Sequence, residues 1–141
     1  MKHLKRYKLF ESVDSDLEDI KDIMNDISDL EDIDVSIGEE SQEFSKGSTF
    51  KINILPTKPG SKGAFVVNHN IKSTIQRLNR IYKNDYTFLY QYFTLNPARW
   101  VKFYVYDDER GLRDYDTVKL DGSGKFPAPK IYRMQITMVK K

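Results

Sequence analysis

Asp107-Asp108-Glu109, followed by Asp114 and Asp116, is the densest set of ligand-type oxygens in the basic part of this 141-residue chain. A hard cation gathers roughly six to eight such oxygens, commonly from an alternating acidic loop closed by a glycine turn. Val118 stands where that alternation needs its third ligand, and Lys119 rather than glycine follows it. Arg110 and Arg113 lie among the carboxylates and are the expected partners for them, so no metal ligand is assigned. Gly122-Ser123-Gly124-Lys125 has the ending of a phosphate-binding loop. The first glycine of such a loop would fall at Lys119 and its magnesium-binding hydroxyl at Phe126, so the stretch reads as a turn. Only His3 and His69 could act as near-neutral bases, and neither has a nucleophile and carboxylate at a spacing that makes a triad. The chain has no cysteine, which excludes a disulfide framework, a thiolate zinc site and a cysteine nucleophile. No constellation for catalysis assembles, no cofactor is implied, and the expected activity is binding.

The pattern with the most chemistry in it is basic side chains interleaved with rings. Arg77, Arg80, Lys83, Arg99, Trp100, Lys102, Tyr104 and Tyr106 are the candidate binding residues. Single-stranded nucleic acid is held by cationic grooves with aromatic platforms, each stacked base contributing about 1–3 kcal/mol. On a strand at 100–106, Trp100, Lys102, Tyr104 and Tyr106 project from one side, as a platform requires. The same residue types also fill β cores and interfaces with other proteins, and the RNA-recognition signature of a basic residue, glycine and aromatics is missing.

These side chains need elements to hold them. SDLEDIKDIMNDISDL places Leu17, Ile20, Ile23, Met24, Ile27 and Leu30 at three- and four-residue steps, the stripe of an amphipathic helix. Ser15 and Glu18 have the spacing of a capping box at its start. DIDVSIGEE and TFKINILP alternate apolar and polar residues, through Ile33, Val35 and Ile37 and through Phe50, Ile52 and Ile54, which predicts two half-buried strands ending at Pro56. Asn68 or Asn70 caps a second helix with Ile75, Leu78 and Tyr82 on its stripe. YTFLYQYF, rich in β-favouring rings after the Asn84-Asp85 punctuation, reads as a strand in preference to a continued helix. WVKFYVY and the terminal KIYRMQITMVK alternate as further strands. DDERGLRD reads as a turn-rich loop and YDTVKL as a short strand.

Two helices and four to five mainly antiparallel strands, in the order α-β-β-α-β-β with one strand more in doubt, give an α+β fold with both helices on one face of the sheet. The order is also that of a ferredoxin-like unit whose first strand has been moved to the end. Residues 1–14 form a basic arm and residues 15–141 a single domain. No apolar run approaches the roughly 18 residues that span a bilayer, and no apolar core follows the basic start as in a secretory signal, so no membrane partner is expected.

Charge is unevenly laid out. The net +2 divides into +4 over residues 1–10, −13 over 11–43 and +11 over 44–141. Either the acidic part lies against the basic body, the fields cancelling within a Debye length of about 8–10 Å, or the basic part faces an anionic partner.

The opening MKHLKRYKLFES resembles the capsid-targeting tags of internal head proteins in myovirus-type tailed phages. Met1-Lys2 matches the start of such a tag, and Leu9-Phe10-Glu11 before Ser12 matches the hydrophobic-X-Glu site cut by the prohead protease. The resemblance covers twelve residues. It implies processing between Glu11 and Ser12, packaging in the virion head, and delivery to the host cytoplasm, where the protein would bind a host or virion protein. A nucleic-acid-binding module using the basic-aromatic face is the alternative, and a small metal-dependent hydrolase the third.

Overall fold

The computed structural model describes residues 16–28, 33–41, 48–57, 63–95, 97–115 and 130–141. Helix α1 covers 16–28. It is followed by strands β1 (Ile33–Ser41) and β2 (Ser48–Pro56) and by helix α2 (His69–Tyr82). Strands β3 (Tyr86–Thr94), β4 (Arg99–Val105), β5 (Leu112–Asp114) and β6 (Arg133–Lys140) complete the chain. The strands form one antiparallel sheet in the order β1-β2-β6-β3-β4-β5. The fold is α+β as expected, with six strands in place of four to five. The stretch 86–93 is strand, not helix.

Alternation along the strands explains the layering. Ile33, Phe50, Ile52, Ile54, Met134, Ile136, Met138, Tyr86, Tyr90, Tyr92, Val101 and Phe103 are all buried and share one face by register. Burying one side chain of this size contributes about 1.5–3 kcal/mol. Over that face lie Ile20, Ile23, Met24 and Ile27 from α1 and Ile71, Ile75, Leu78 and Tyr82 from α2. Two polar contacts fix the helices to the same side. Tyr86 Oη donates to Asp16 Oδ2 at the start of α1, and Tyr90 Oη donates to Asn79 Oδ1 of α2, each over 2.8 Å.

Helix α2 begins where Asn68 Oδ1 accepts the Ile71 N–H at 3.0 Å, which satisfies one of the first-turn donors. The Ser15 cap and Leu30 expected for α1, the Gly122–Lys125 turn and the N-terminal tag lie outside the described residues. From β2 the chain crosses through α2 to β3, and β6 later fills the place between those two strands. The order β1-β2-β6-β3 with helices on one face is that of a ferredoxin-like unit with its first strand moved to the end, and β4 and β5 extend it at one edge.

Strand β5 falls in the stretch GLRD, where the sequence predicted only loop. Three residues are too few to show a period of two, and the deciding feature is the turn before them. Gly111 has φ 61°, a left-handed conformation that costs a residue with a Cβ about 1–2 kcal/mol. With the Gly111 N–H on Asp108 O (3.1 Å) and the Tyr106 N–H on Gly111 O (2.7 Å), the chain reverses and lies back along β4. YDTVKL was expected to be a strand, but its described residue, Tyr115, follows the end of β5, and the rest lies outside the described residues.

Candidate binding face of the sheet

The side of the sheet away from the helices carries the residues that point outward between the core positions. Read across the strands, register places them in rows roughly 4.8 Å apart from strand to strand. One row runs Arg133 (β6), Phe93 (β3) and Trp100 (β4), with Leu55 on β2 one alternation beyond Asn53. The next runs Asn53, Gln135, Gln91 and Lys102; beyond it Lys51, Thr137 and Leu89 line up on β2, β6 and β3, and Tyr104 lines up with Arg113 on β4 and β5. An amide-rich band thus lies between two bands that hold rings, aliphatic side chains and cations.

Trp100 is 42% exposed, Tyr104 41% and Leu89 41%, with Leu55 and Val139 also exposed. The Trp100 ring stands 5.4 Å from Phe93, and the Arg133 guanidinium lies 5.8 Å from its centroid. Arg133 and Gln135 both donate to Asn53 Oδ1, at 3.0 and 3.3 Å, and this orders the middle of the face. Among the described open-face positions of β2 to β6 there is no carboxylate, whereas Lys51, Lys102, Arg113 and Arg133 are cations.

The eight candidate residues do not form one site. Trp100, Lys102 and Tyr104 share the open face of β4. Tyr106 follows just past the strand end, its ring 6.3 Å from that of Tyr104 and capped by the Arg110 guanidinium at 4.3 Å. Arg99 is exposed at the start of β4 but alternates onto the helix side, with Val101 and Phe103. Arg77 and Arg80 belong to the helix layer on the opposite side of the sheet, where Arg77 sits 3.6 Å from Asp26 of α1. Lys83, just past the end of α2, pairs with Asp107 and reaches a cleft that Lys102 and Tyr104 also line. Glu11 and Ser12 lie outside the described residues. Leu89 and the amide row were missed by sequence reasoning, and Arg133 was not among the eight candidates. They alternate visibly within their own strands, but only the pairing of β6 between β2 and β3 makes them neighbours.

Asp107 and Asp108 are spent on ion pairs within the fold. Asp107 accepts from Lys83 Nζ and from Asn79 Nδ2 (3.2 Å), and the hydrogen bond from Lys83 holds its carboxyl below the usual aspartate value. Asp108 pairs with Arg110 at 2.9 Å. Asp114 is buried on the helix side of β5, paired in register with Phe103. Among the described residues no three histidine, cysteine or acidic side chains gather as a metal site. His69 stands in the first turn of α2, with Nε2 3.4 Å from Ser73 Oγ and no carboxylate completing a triad among the described residues.

Compared with known proteins, the chain matches no family model, no curated protein and no solved structure. No helix among the described residues is long and apolar enough to cross a membrane.

Proposed function

We propose that this protein acts without catalysis, by holding a protein partner on the open face of its sheet. The observation that carries the reading is the row Arg133-Phe93-Trp100, together with exposed Leu55, Leu89 and Tyr104, on a face that neither helix covers. Tryptophan, tyrosine and arginine dominate binding energy at protein interfaces, the rings because they bury large area with few rotors and arginine through its planar fork of donors, and a polar band between them fixes register through hydrogen bonds. The resemblance of residues 1–12 to a capsid-targeting tag supports a phage accessory protein whose partner is a host or virion protein, acting in the host cytoplasm after packaging in the head. The test is affinity capture from host lysate by the wild-type chain and by a Trp100→Ala/Tyr104→Ala variant, followed by reconstitution with the purified partner. A partner held by the wild type and lost by the variant supports the reading; equal recovery overturns it. A mature N-terminus at Ser12 in particles checks the tag.

A second reading has its own observation, the carboxylate-free cationic lattice around Trp100. Two rings on β4 separated by Lys102 are what a single strand of nucleic acid needs for stacking and phosphate contact. Binding of this kind falls steeply with ionic strength. Retention of single-stranded DNA or RNA at low salt that weakens as salt rises selects this reading, and no retention at low salt removes it.

A further inference from the structure

Strands β3 and β4 separate part-way along their length. Their ladder runs from Thr94 and Arg99 to Tyr90 and Phe103 and stops there, although β3 continues back to Tyr86 and β4 on to Val105. From that point β3 stays with β6 and β4 goes with β5. Ladder alternation tells which backbone groups face the gap. The Lys141 N–H bonds to Asp85 O, so Asp85, Thr87 and Leu89 turn their amides and carbonyls towards β6, and Tyr86 and Phe88 turn theirs towards β4. The Tyr106 N–H bonds to Gly111 O, so Tyr106 and Tyr104 face β5, and Val105 faces β3. Tyr86 and Phe88 on one wall and Val105 on the other therefore present strand-type hydrogen-bonding groups to a fork that no strand among the described residues closes.

The fork is a cleft of about 500 Å³, within the range of roughly 300–1,000 Å³ that small ligands and peptide ends occupy. Its rim carries Lys83, Lys102 and Lys141. The one carboxylate in contact with these lysines among the described residues is Asp107, already engaged by Lys83 and Asn79. Tyr104 and Tyr115, with rings 5.4 Å apart, form an apolar flank.

We infer that this fork takes an extended, carboxylate-bearing peptide strand, which pairs with the open edge of β3 at Tyr86 and Phe88 and sets its acidic side chains on Lys102 and Lys141. Strand addition supplies main-chain hydrogen bonds for affinity, while the lysines select the sequence. The inference rests on the reading of a protein partner and names the part of it that the fork would hold.

The test uses the full chain with the peptide acetyl-Glu-Val-Glu-Val-Glu-amide, followed by amide NMR shifts and hydrogen exchange. Protection of the Tyr86 and Phe88 amides is expected. Affinity should be at least tenfold weaker for the peptide with lysine in place of glutamate, and at least tenfold weaker for the Lys102→Glu variant. Peptides N-methylated on alternate amides separate strand pairing from charge alone: one methylation pattern should abolish binding and the other leave it. Equal loss with both patterns, shifts confined to Trp100 and Arg133, or no shift at Tyr86 and Phe88 overturns the inference. Loss of a protein partner by Trp100→Ala/Tyr104→Ala with no peptide in the fork would sink the fork and leave the open-face reading standing.

Discussion

Tyr86 Oη on β3 donates a 2.8 Å hydrogen bond to Asp16 Oδ2, joining residues 70 apart and anchoring the first turn of α1 to the sheet. Lys140 completes the contact, with Nζ 3.7 Å from the same carboxylate oxygen and 5.0 Å from the Tyr86 ring centroid. α1 carries Glu18, Asp19, Asp22 and Asp26 on a short helix, and their mutual repulsion opposes its formation. Burial of Ile20, Ile23, Met24 and Ile27 offsets that repulsion, and the Tyr86–Asp16 bond aligns the helix so that the burial is complete. Tyr86→Phe keeps the ring against Phe50 and Tyr82 and removes only the donor. It should cost about 1.5–3 kcal/mol, the range for a hydrogen bond to a charged group. Urea unfolding measures the loss, and faster hydrogen exchange should appear first in α1.

Alkali should unfold the protein through its buried tyrosines. Burial, reinforced by the charges of Asp16 and Asp19, raises Tyr82 to about 12. Burial also raises Tyr86, with the Asp16 bond next, and Tyr90, with Asp107 next. A folded-state pKa above the unfolded one means that the stabilisation is complete below the ordinary value of about 10 and is lost as pH rises through the folded values. Stability should therefore hold up to about pH 10 and fall from there towards pH 12. Following unfolding together with tyrosinate absorbance checks this, and Tyr90→Phe should flatten the fall.

Both helices and four of the strands were legible because each carries enough residues to display its period, with four apolar steps on α1 and repeated alternation on β1, β2, β4 and β6, while β3 was legible from its β-favouring rings after the Asn84-Asp85 punctuation. β5 was not, because Leu112–Asp114 shows one alternation and depends on the φ of Gly111. The face of β4 was readable for the same reason, since Trp100, Lys102 and Tyr104 alternate within one segment. Arg77 and Arg80 were grouped with it by composition, and the structure separates them because they stand on a helix on the other side of the sheet, whereas Lys83, at the end of that helix, reaches the cleft beside Lys102. The row that joins Trp100 through Phe93 to Arg133 depends on long-range register, which no local period records.

Gly111→Ala tests the turn that creates β5. A Cβ there would meet nothing closer than Gln76 Nε2 at 3.7 Å, so space is not the obstacle. The obstacle is φ 61°, which should cost about 1–2 kcal/mol. Gln76 Nε2 also donates to Tyr106 O (2.8 Å) and Asp108 O (3.2 Å), so the turn is held to α2 and relaxes only with that contact. Asn at the same position tolerates the left-handed region better and should recover part of the loss in thermal unfolding.

Stability and binding should divide between the two faces of the sheet. Ile136 is fully buried, paired in register with Ile52 on one side and Tyr90 on the other, and Ile136→Ala should cost about 2–5 kcal/mol. Trp100 lies on the reverse side with much of its ring in solvent, so Trp100→Ala loses the Phe93 and Arg133 contacts and about 1 kcal/mol of stability. Its expected effect is on partner affinity, a loss of about 2 kcal/mol or more if the ring is an interface anchor. Measured side by side, calorimetric binding should collapse in Trp100→Ala while its unfolding transition barely moves, and a variant that unfolds early yet binds normally below its transition would place the anchor elsewhere on the molecule.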